Sequence, residues 1–518
     1  ACPLREPRRA GTYVPRMWRS TWLITLVHVS QSAKAASRTV SGFLLALVLF
    51  TLSPVGASAA TQWSAPENVS SGVSVIVPLA RSGGVLKFDA VGRALASWSW
   101  AALQPDPLIP SGRYVPGGWR TATRSAAAAA FDPERAAPTT LLSAPVLYAT
   151  SRAVALDQLP LGAPKTCGSL GSRRRVALRA RFGRSTGLLG APQVISTLVE
   201  PANGTAKSAA NAGGKVLVAW TEPTTDCRRE MVRASLRRPD GHGFGSTFTL
   251  RGTGRPGAVA AAVGQGGDVL VAWVRGGLGG GRAVVEARYR PAGGSWGPID
   301  DLGAAVYPET VLSAAVAPNG RAYVTWQTAR RSEAETSLTV SAAVRPAGTA
   351  RFHGAQVLER VTARTPNDGR ADPVLTLAGA GAGALFAWTG WEGTIWRVRV
   401  AGTDSRGRFG PPQSVSAAGR NSGLGALAAL PNGRASLVWS DLDFEGVPYN
   451  VLAAGRPPSG HFGAPEQVSD SAVDVPAVAI NPVTGQPTAV WAQRIPQTQS
   501  PAQPTSFLRV STRQGPAD

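Results

Sequence analysis

The chain has 518 residues, enough for several ordinary domains or one large repeat architecture. With 59 Gly and 41 Pro among abundant Ala and Val, few stretches run ten residues without a turn former, which excludes long helices and favours many short strands. The formal charge of +22 is carried almost wholly by Arg and is not interleaved with stacking aromatics as a nucleic-acid groove requires, so nucleic acid is not expected as a partner.

Residue 1 is Ala rather than Met, part of residues 1–37 reads as truncated or wrongly assigned upstream sequence, and no fold is drawn from it. Arg38 then opens a short charged region, Phe43 to Phe50 (FLLALVLF) supplies an apolar core, and Ala57-Ser58-Ala59 is an A-x-A cleavage site. The pattern is that of a secretory signal peptide, with the mature chain starting near Ala60 or Thr61. The apolar run is short for a bilayer span and no other segment is apolar enough, so release is expected, with a retained signal anchor as the alternative. An extracellular monomer without cofactor or metal is the resulting expectation.

From residue 61 onward the chain repeats itself. Gly214 to Trp220 (GKVLVAW), Gly267 to Trp273 (GDVLVAW), Gly320 to Trp326 (GRAYVTW) and Gly433 to Trp439 (GRASLVW) share a turn glycine followed by a strand ending in Trp. Looser copies end at Trp98, Trp388 and Trp491, and Ser151 to Asp157 (SRAVALD) keeps the frame without the Trp. About 23 residues after most slots comes an aromatic, a small residue and a short strand, at Trp119, Phe244, Trp296, Phe352, Phe409 and Phe462, with Leu189 in the equivalent place. The last slot lacks this second motif, and Trp63-Ser64-Ala65-Pro66-Glu67-Asn68-Val69 at the other end of the repeats is a near copy of it. Donating the first strand to the last blade removes an exposed sheet edge and ties a ring shut. The sequence therefore predicts one all-β propeller over 61–518 with eight four-stranded blades, strands A to D, or seven if the second repeat is only a connection. Pro318-Asn319-Gly320 and Pro431-Asn432-Gly433 predict type I′ turns between strands A and B. Arg-Pro pairs at 238, 290, 345 and 456 mark the turns from C to D.

Most Trp residues are assigned to packing between blades. Trp391 and Trp396, in or near the sixth B-to-C loop, are left as candidate ligand platforms. Cys167 and Cys227 fall in B-to-C loops of adjacent blades on one face, where a disulfide would close about 60 residues and contribute roughly 3 to 4 kcal/mol. The same loops carry Arg173, Arg174, Arg175, Arg228, Arg229, Arg275, Arg282, Arg330 and Arg331 on one side, and Asp441, Asp443, Glu445 and Tyr449 on another. A partly basic rim of this kind attracts an extracellular glycan or anionic surface polymer. His242, His353 and His461 are scattered over C-to-D turns and assemble no catalytic set.

In its repeat and C-to-D turn the chain resembles the sialidase-like propellers of secreted bacterial proteins. Thr403-Asp404-Ser405-Arg406-Gly407-Arg408-Phe409 and Arg238-Pro239-Asp240-Gly241-His242-Gly243-Phe244 resemble eroded forms of that family's Asp-box. Arg494-Ile495-Pro496 stands at the C-terminal end, not where the family places such a tripeptide, and no catalytic residue is carried over. The resemblance implies a second reading beside that of a binding or scaffold propeller. It is a glycoside hydrolase using two carboxylates among Asp441, Asp443, Glu445, Glu392 and Asp372, within roughly 5 to 10 Å of each other in a central pocket.

Overall fold

The computed structural model describes residues 62–70, 75–76, 86–106, 109–137, 146–148, 152–162, 165–166, 172–173, 175–184, 189–199, 206–224, 230–237, 243–251, 255–276, 283–306, 310–331, 335–363, 375–443, 446–472, 476–495 and 505–514. The upstream segment, the signal sequence, Cys167, Cys227, Arg174, Arg228, Arg229, Arg282, Asp372 and Glu445 lie outside them. Described residues form strands and turns, with no helix among them.

Strand β1 (Glu67–Asn68) comes first in the chain but belongs to the last blade. Blade 1 holds β2 (Val75–Ile76) and β3 (Leu86–Phe88) side by side on β4 (Ala94–Asp106), then β5 (Ile109–Arg124) and β6 (Arg135–Ala137). Blade 2 is β7 (Val146–Tyr148), β8 (Arg152–Pro160), β11 (Arg175–Arg184) and β12 (Leu189–Val199), with a small hairpin of β9 (Lys165–Thr166) and β10 (Ser172–Arg173) between its B and C strands. Blade 3 is β13 (Ala206–Ala210), β14 (Val216–Pro223), β15 (Glu230–Leu236) and β16 (Phe248–Arg251); blade 4 is β17 (Arg255–Val263), β18 (Val269–Gly276), β19 (Ala283–Arg290) and β20 (Ile299–Ala305). Blade 5 is β21 (Val311–Val316), β22 (Ala322–Arg331), β23 (Thr336–Arg345) and β24 (Gln356–Ala363); blade 6 is β25 (Leu375–Ala380), β26 (Gly383–Glu392), β27 (Ile395–Gly402) and β28 (Gln413–Ser414). Blade 7 is β29 (Ser422–Ala429), β30 (Ala435–Asp441), β31 (Val451–Arg456) and β32 (Glu466–Ser469), and blade 8 is β33 (Ala477–Ile480), β34 (Pro487–Ile495), β35 (Thr505–Thr512) and β1. The second repeat is thus a complete blade, and the count is eight.

The ring closes as the repeat predicts. Glu67 pairs with Val510 and Asn68 with Arg509, and Trp63 bridges Arg513. The innermost strands touch in order, β3 to β7 to β13 to β17 to β21 to β25 to β29 to β33, and β33 returns to β3.

Strand B reads as a continuous apolar run because both its faces are covered by neighbouring blades. All eight residues of β14 are buried. Each slot Trp packs on the blade before it: Trp273 on Leu217 and Ala219, Trp326 on Leu270 and Val285, Trp439 on Leu385 and Val398. Trp98 closes the circle against Val490 and Ala492 of blade 8. All seven slot indoles are among the most fully buried side chains.

Two local readings change. Trp119 lies in strand C of blade 1, opposite Ser99 and Ala137, and does not precede strand D. Phe131 does so instead, four residues before β6, and the following Asp132 N–H donates to the Thr123 carbonyl as Gly410 and Gly463 do to Gly402 and Gly455. The long B-to-C hairpin of this blade shifts the spacing and lets Trp119 imitate the motif. The A-to-B turns are not type I′. Gly320 N–H donates to Ala317 O and Ala317 N–H to Arg321 O, so Pro318 and Asn319 are the central residues and Gly320 follows at φ +81°. This is a type I turn with a left-handed glycine, which suits Pro at the first central position. Trp391 and Trp396 lie beside the sixth B-to-C turn, at the ends of strands β26 and β27 and paired across the hairpin.

Candidate functional site

Antiparallel blades place the B-to-C and D-to-A connections on one face and the A-to-B and C-to-D turns on the other. Trp391 is only 5% exposed and packs with Ala329 and Leu338 of blade 5. Trp396, half-buried, meets it edge-on with ring centroids 4.8 Å apart. Of the pair, Trp396 is the one with surface to offer.

The candidate carboxylates have partners of their own. Asp441 is buried and accepts from Ser422 Oγ at 2.8 Å and Asn450 Nδ2 at 3.2 Å, while its own N–H donates to Asn450 Oδ1. Asp443 Oδ1 accepts from Val447 N–H within a tight turn, and Tyr449 Oη accepts from Arg420 at 2.9 Å. Glu392, exposed, pairs with Arg397 at 2.8 Å. His353 and His461 lie in C-to-D turns, away from these groups along the chain.

Much of the arginine is structural. Opposite the slot residue, strand C carries Arg120, Arg179, Arg233, Arg399 and Arg509 in five blades. Arg120 pairs with Glu134, Arg233 with Glu222, and Arg399 with Glu359. Several of these carboxylates also accept an indole N–H: Glu222 from Trp220, Glu286 from Trp273, Glu359 from Trp388 and Glu466 from Trp63. Burial pushes the Glu359 carboxyl above the usual range, opposed by the Trp388 hydrogen bond and by Arg399. In blade 2 Asp157 occupies the Trp slot, fully buried, and binds Arg179 at 2.8 Å and Arg181 at 2.6 Å. Arg275 joins the same scheme through Glu286 at 2.6 Å. At the C-to-D turns Arg345 donates to Gly320 O and lies 3.5 Å over the Tyr289 ring, and Arg456 donates to Gly433 O and Gly460 O.

Arg330 differs. In blade 5 the residue opposite Trp326 is Ser341, so no guanidinium–carboxylate pair fills the space beside the indole. A cleft of about 420 Å³ lies between blades 7 and 8, but its Arg456 and Arg513 are held by backbone carbonyls and by Glu466. The cleft between blades 4 and 5 measures about 350 Å³ and is lined by Arg330 and Arg360. Alternate residues of β22 and β23 put Thr328, Ser337, Thr339 and Ser341 along its floor beside the Trp326 edge, and Gly303 to Ala305 of β20 form the far wall. Arg330 and Arg360 stand exposed at its margin, and neither forms an ion pair with a described residue. Arg331 ends the same strand, β22, while Arg173 lies in β10 and Arg175, exposed, opens β11. A hydroxyl-lined slot with two guanidinium groups unpaired among the described residues suits a polar anionic ligand.

No known protein family matches the sequence, and no curated protein does either. Solved structures match at the level of architecture. An ulvan lyase is 9% identical with a TM-score of 0.41, covering 79% of this chain and 96% of that one. The β-propeller domain of the trilobed protease from Pyrococcus furiosus is 9% identical with a TM-score of 0.37, covering 75% and 96%. The α-L-arabinofuranosidase of Fusarium graminearum is 8% identical with a TM-score of 0.34, covering 87% and 97%. Likenesses of this size assign no function.

Proposed function

We propose that this is an exported binding propeller that captures an extracellular glycan or anionic surface polymer, with the cleft between blades 4 and 5 as its docking site. The observation that carries this reading is the pair Arg330 and Arg360, unpaired among described residues, over a floor of Thr and Ser hydroxyls. Guanidinium groups recognise carboxylate and sulfate bidentately, and the hydroxyls both donate and accept toward sugar oxygens. Sialidase-like ancestry is supported by the turn at Asp404, whose Oδ1 accepts from the Arg406 and Arg408 N–H groups. The hydrolase alternative needs two carboxylates facing across one pocket. Asp441, Asp443 and Glu392 instead serve a strand end, a turn and an ion pair, so binding is the better reading.

Titration calorimetry with uronic-acid and sulfated oligosaccharides at low salt tests it. Arg330→Ala and Arg360→Ala should each weaken binding roughly 10- to 100-fold, the loss of a charged hydrogen bond. Unchanged affinity in the double variant, or glycosidase turnover without retained binding, would overturn the proposal.

A further inference from the structure

The eight innermost strands wall the axial channel, and their sequences are almost free of charge. Between Leu86 of β3 and Ile480 of β33 they carry Lys87, Lys207 and Arg255, with no Asp or Glu in any of them. Lysine is scarce in this protein, five residues in all, so two of five on the channel wall is a concentration. Lys87 and Lys207 are both solvent-exposed although their backbones lie in the centre of the ring. Protein nevertheless surrounds both ammonium groups closely enough for desolvation to lower their pKa values, with no carboxylate among the described residues opposing the shift. A side chain at once accessible and enclosed opens into a confined space, such as the centre of the ring of inner strands.

The register sets their spacing. Lys87 pairs with Leu95, three residues before the slot Trp98, and Lys207 pairs with Ala219, one before Trp220. Both therefore project from the same side of their blades, and at about 3.4 Å per residue they differ by roughly 7 Å in height. One strand, β7, separates β3 from β13 around the ring. Strands flanking the two lysines add Tyr148 on β7 and Arg255 on β17 as their only titratable residues. The opposite wall, β21, β25, β29 and β33, is Ala, Val, Leu, Ile, Gly, Ser and Thr.

We infer that the axial channel is a second anion-binding site, in which Lys87 and Lys207 donate to carboxylate or sulfate groups of an acidic oligosaccharide. This site stands independently of the cleft between blades 4 and 5. A pair of cations with no Asp or Glu on any inner strand beside them concentrates anions in a confined channel, because field lines focus where walls are of low dielectric.

Lysine acetylation followed by mass spectrometry, with tetragalacturonate or inorganic sulfate as protectant, reads the site directly. Tetragalacturonate should protect Lys87 and Lys207 in the full chain and equally in the Arg330→Ala/Arg360→Ala variant, which separates this site from the cleft. In calorimetry the Lys87→Gln/Lys207→Gln variant should lose about tenfold or more in affinity for tetragalacturonate. Both substitutions are at exposed positions and spare the fold. Protection by sulfate alone would overturn the oligosaccharide in favour of a small inorganic anion. No protection by either, or unchanged affinity in the double lysine variant, would overturn the site.

Discussion

Individual side chains in this propeller do mostly structural work, including those that look functional. Trp273 is fully buried between two blades, and Trp273→Ala should cost about 3 to 5 kcal/mol in urea denaturation. Trp391→Ala should also destabilise measurably, whereas Trp396→Ala, half-buried, should cost less; equal losses would show that the pair is one packing unit. Asp157 replaces a Trp with charge, and Asp157→Ala should cost about 3 to 5 kcal/mol because Arg179 and Arg181 would be left without their buried partner. Glu359 adds a pH signature. Its folded pKa is raised above 4.5, so its favourable contribution is complete below 4.5 and lost as pH rises through the raised value. The urea midpoint of Glu359→Gln should therefore gain on the native protein as pH goes from about 4 to 7; a constant difference would refute the shift.

At the scale of strands and turns, closure of the ring is the decisive feature. Trp63 is buried against blades 7 and 8 and Val69 against blades 8 and 1, Trp63 donates to Glu466, and Ser70 accepts the Leu508 N–H. A chain lacking residues 62–70 exposes the outer edge of β35 and should unfold at lower temperature with a tendency to associate through that edge. Supplying the 62–70 segment as a separate peptide should restore the melting temperature. Melting unchanged by the deletion would mean that blade packing alone holds the ring. The aromatic motif was readable wherever the B-to-C hairpin is short. In blade 1 the hairpin of β4 and β5 runs far longer, so counting residues landed on Trp119 while Phe131 took the position.

For the whole molecule, net charge is a poor guide to the cationic surface. The 53 Lys and Arg behind the net of +22 include arginines held by Glu134, Glu222, Glu286, Glu359 and Glu466, so the total does not tell where cations face solvent. Binding of acidic oligosaccharides should weaken steeply between about 0.05 and 0.5 M salt, since exposed Arg330 and Arg360 are screened within a Debye length of roughly 10 Å or less. Channel binding should carry a distinct pH dependence: the lysine pKa values are lowered from 10.5, so affinity falls at alkaline pH before ordinary lysines titrate. The Arg330→Ala/Arg360→Ala variant should show the same alkaline fall, since the channel lysines are intact in it.

The choice of eight blades over seven came from the complete sheet of the second repeat, while the sequence by itself determined the repeat, the strand that ends in Trp and closure by the Trp63 segment. Each of these is a local pattern repeated at a fixed period, and packing of identical units leaves little choice of partner. Tertiary structure decided which charges remain available. Whether an arginine meets a carboxylate depends on the register of its own blade and on the neighbouring blade, as Ser341 opposite Trp326 shows beside Arg399 opposite Trp388. Lys87 and Lys207 carry no motif at all. Only the ring, which places two inner strands around one channel, gives them a common ligand, because distance around the axis is set by closure and not by position along the chain.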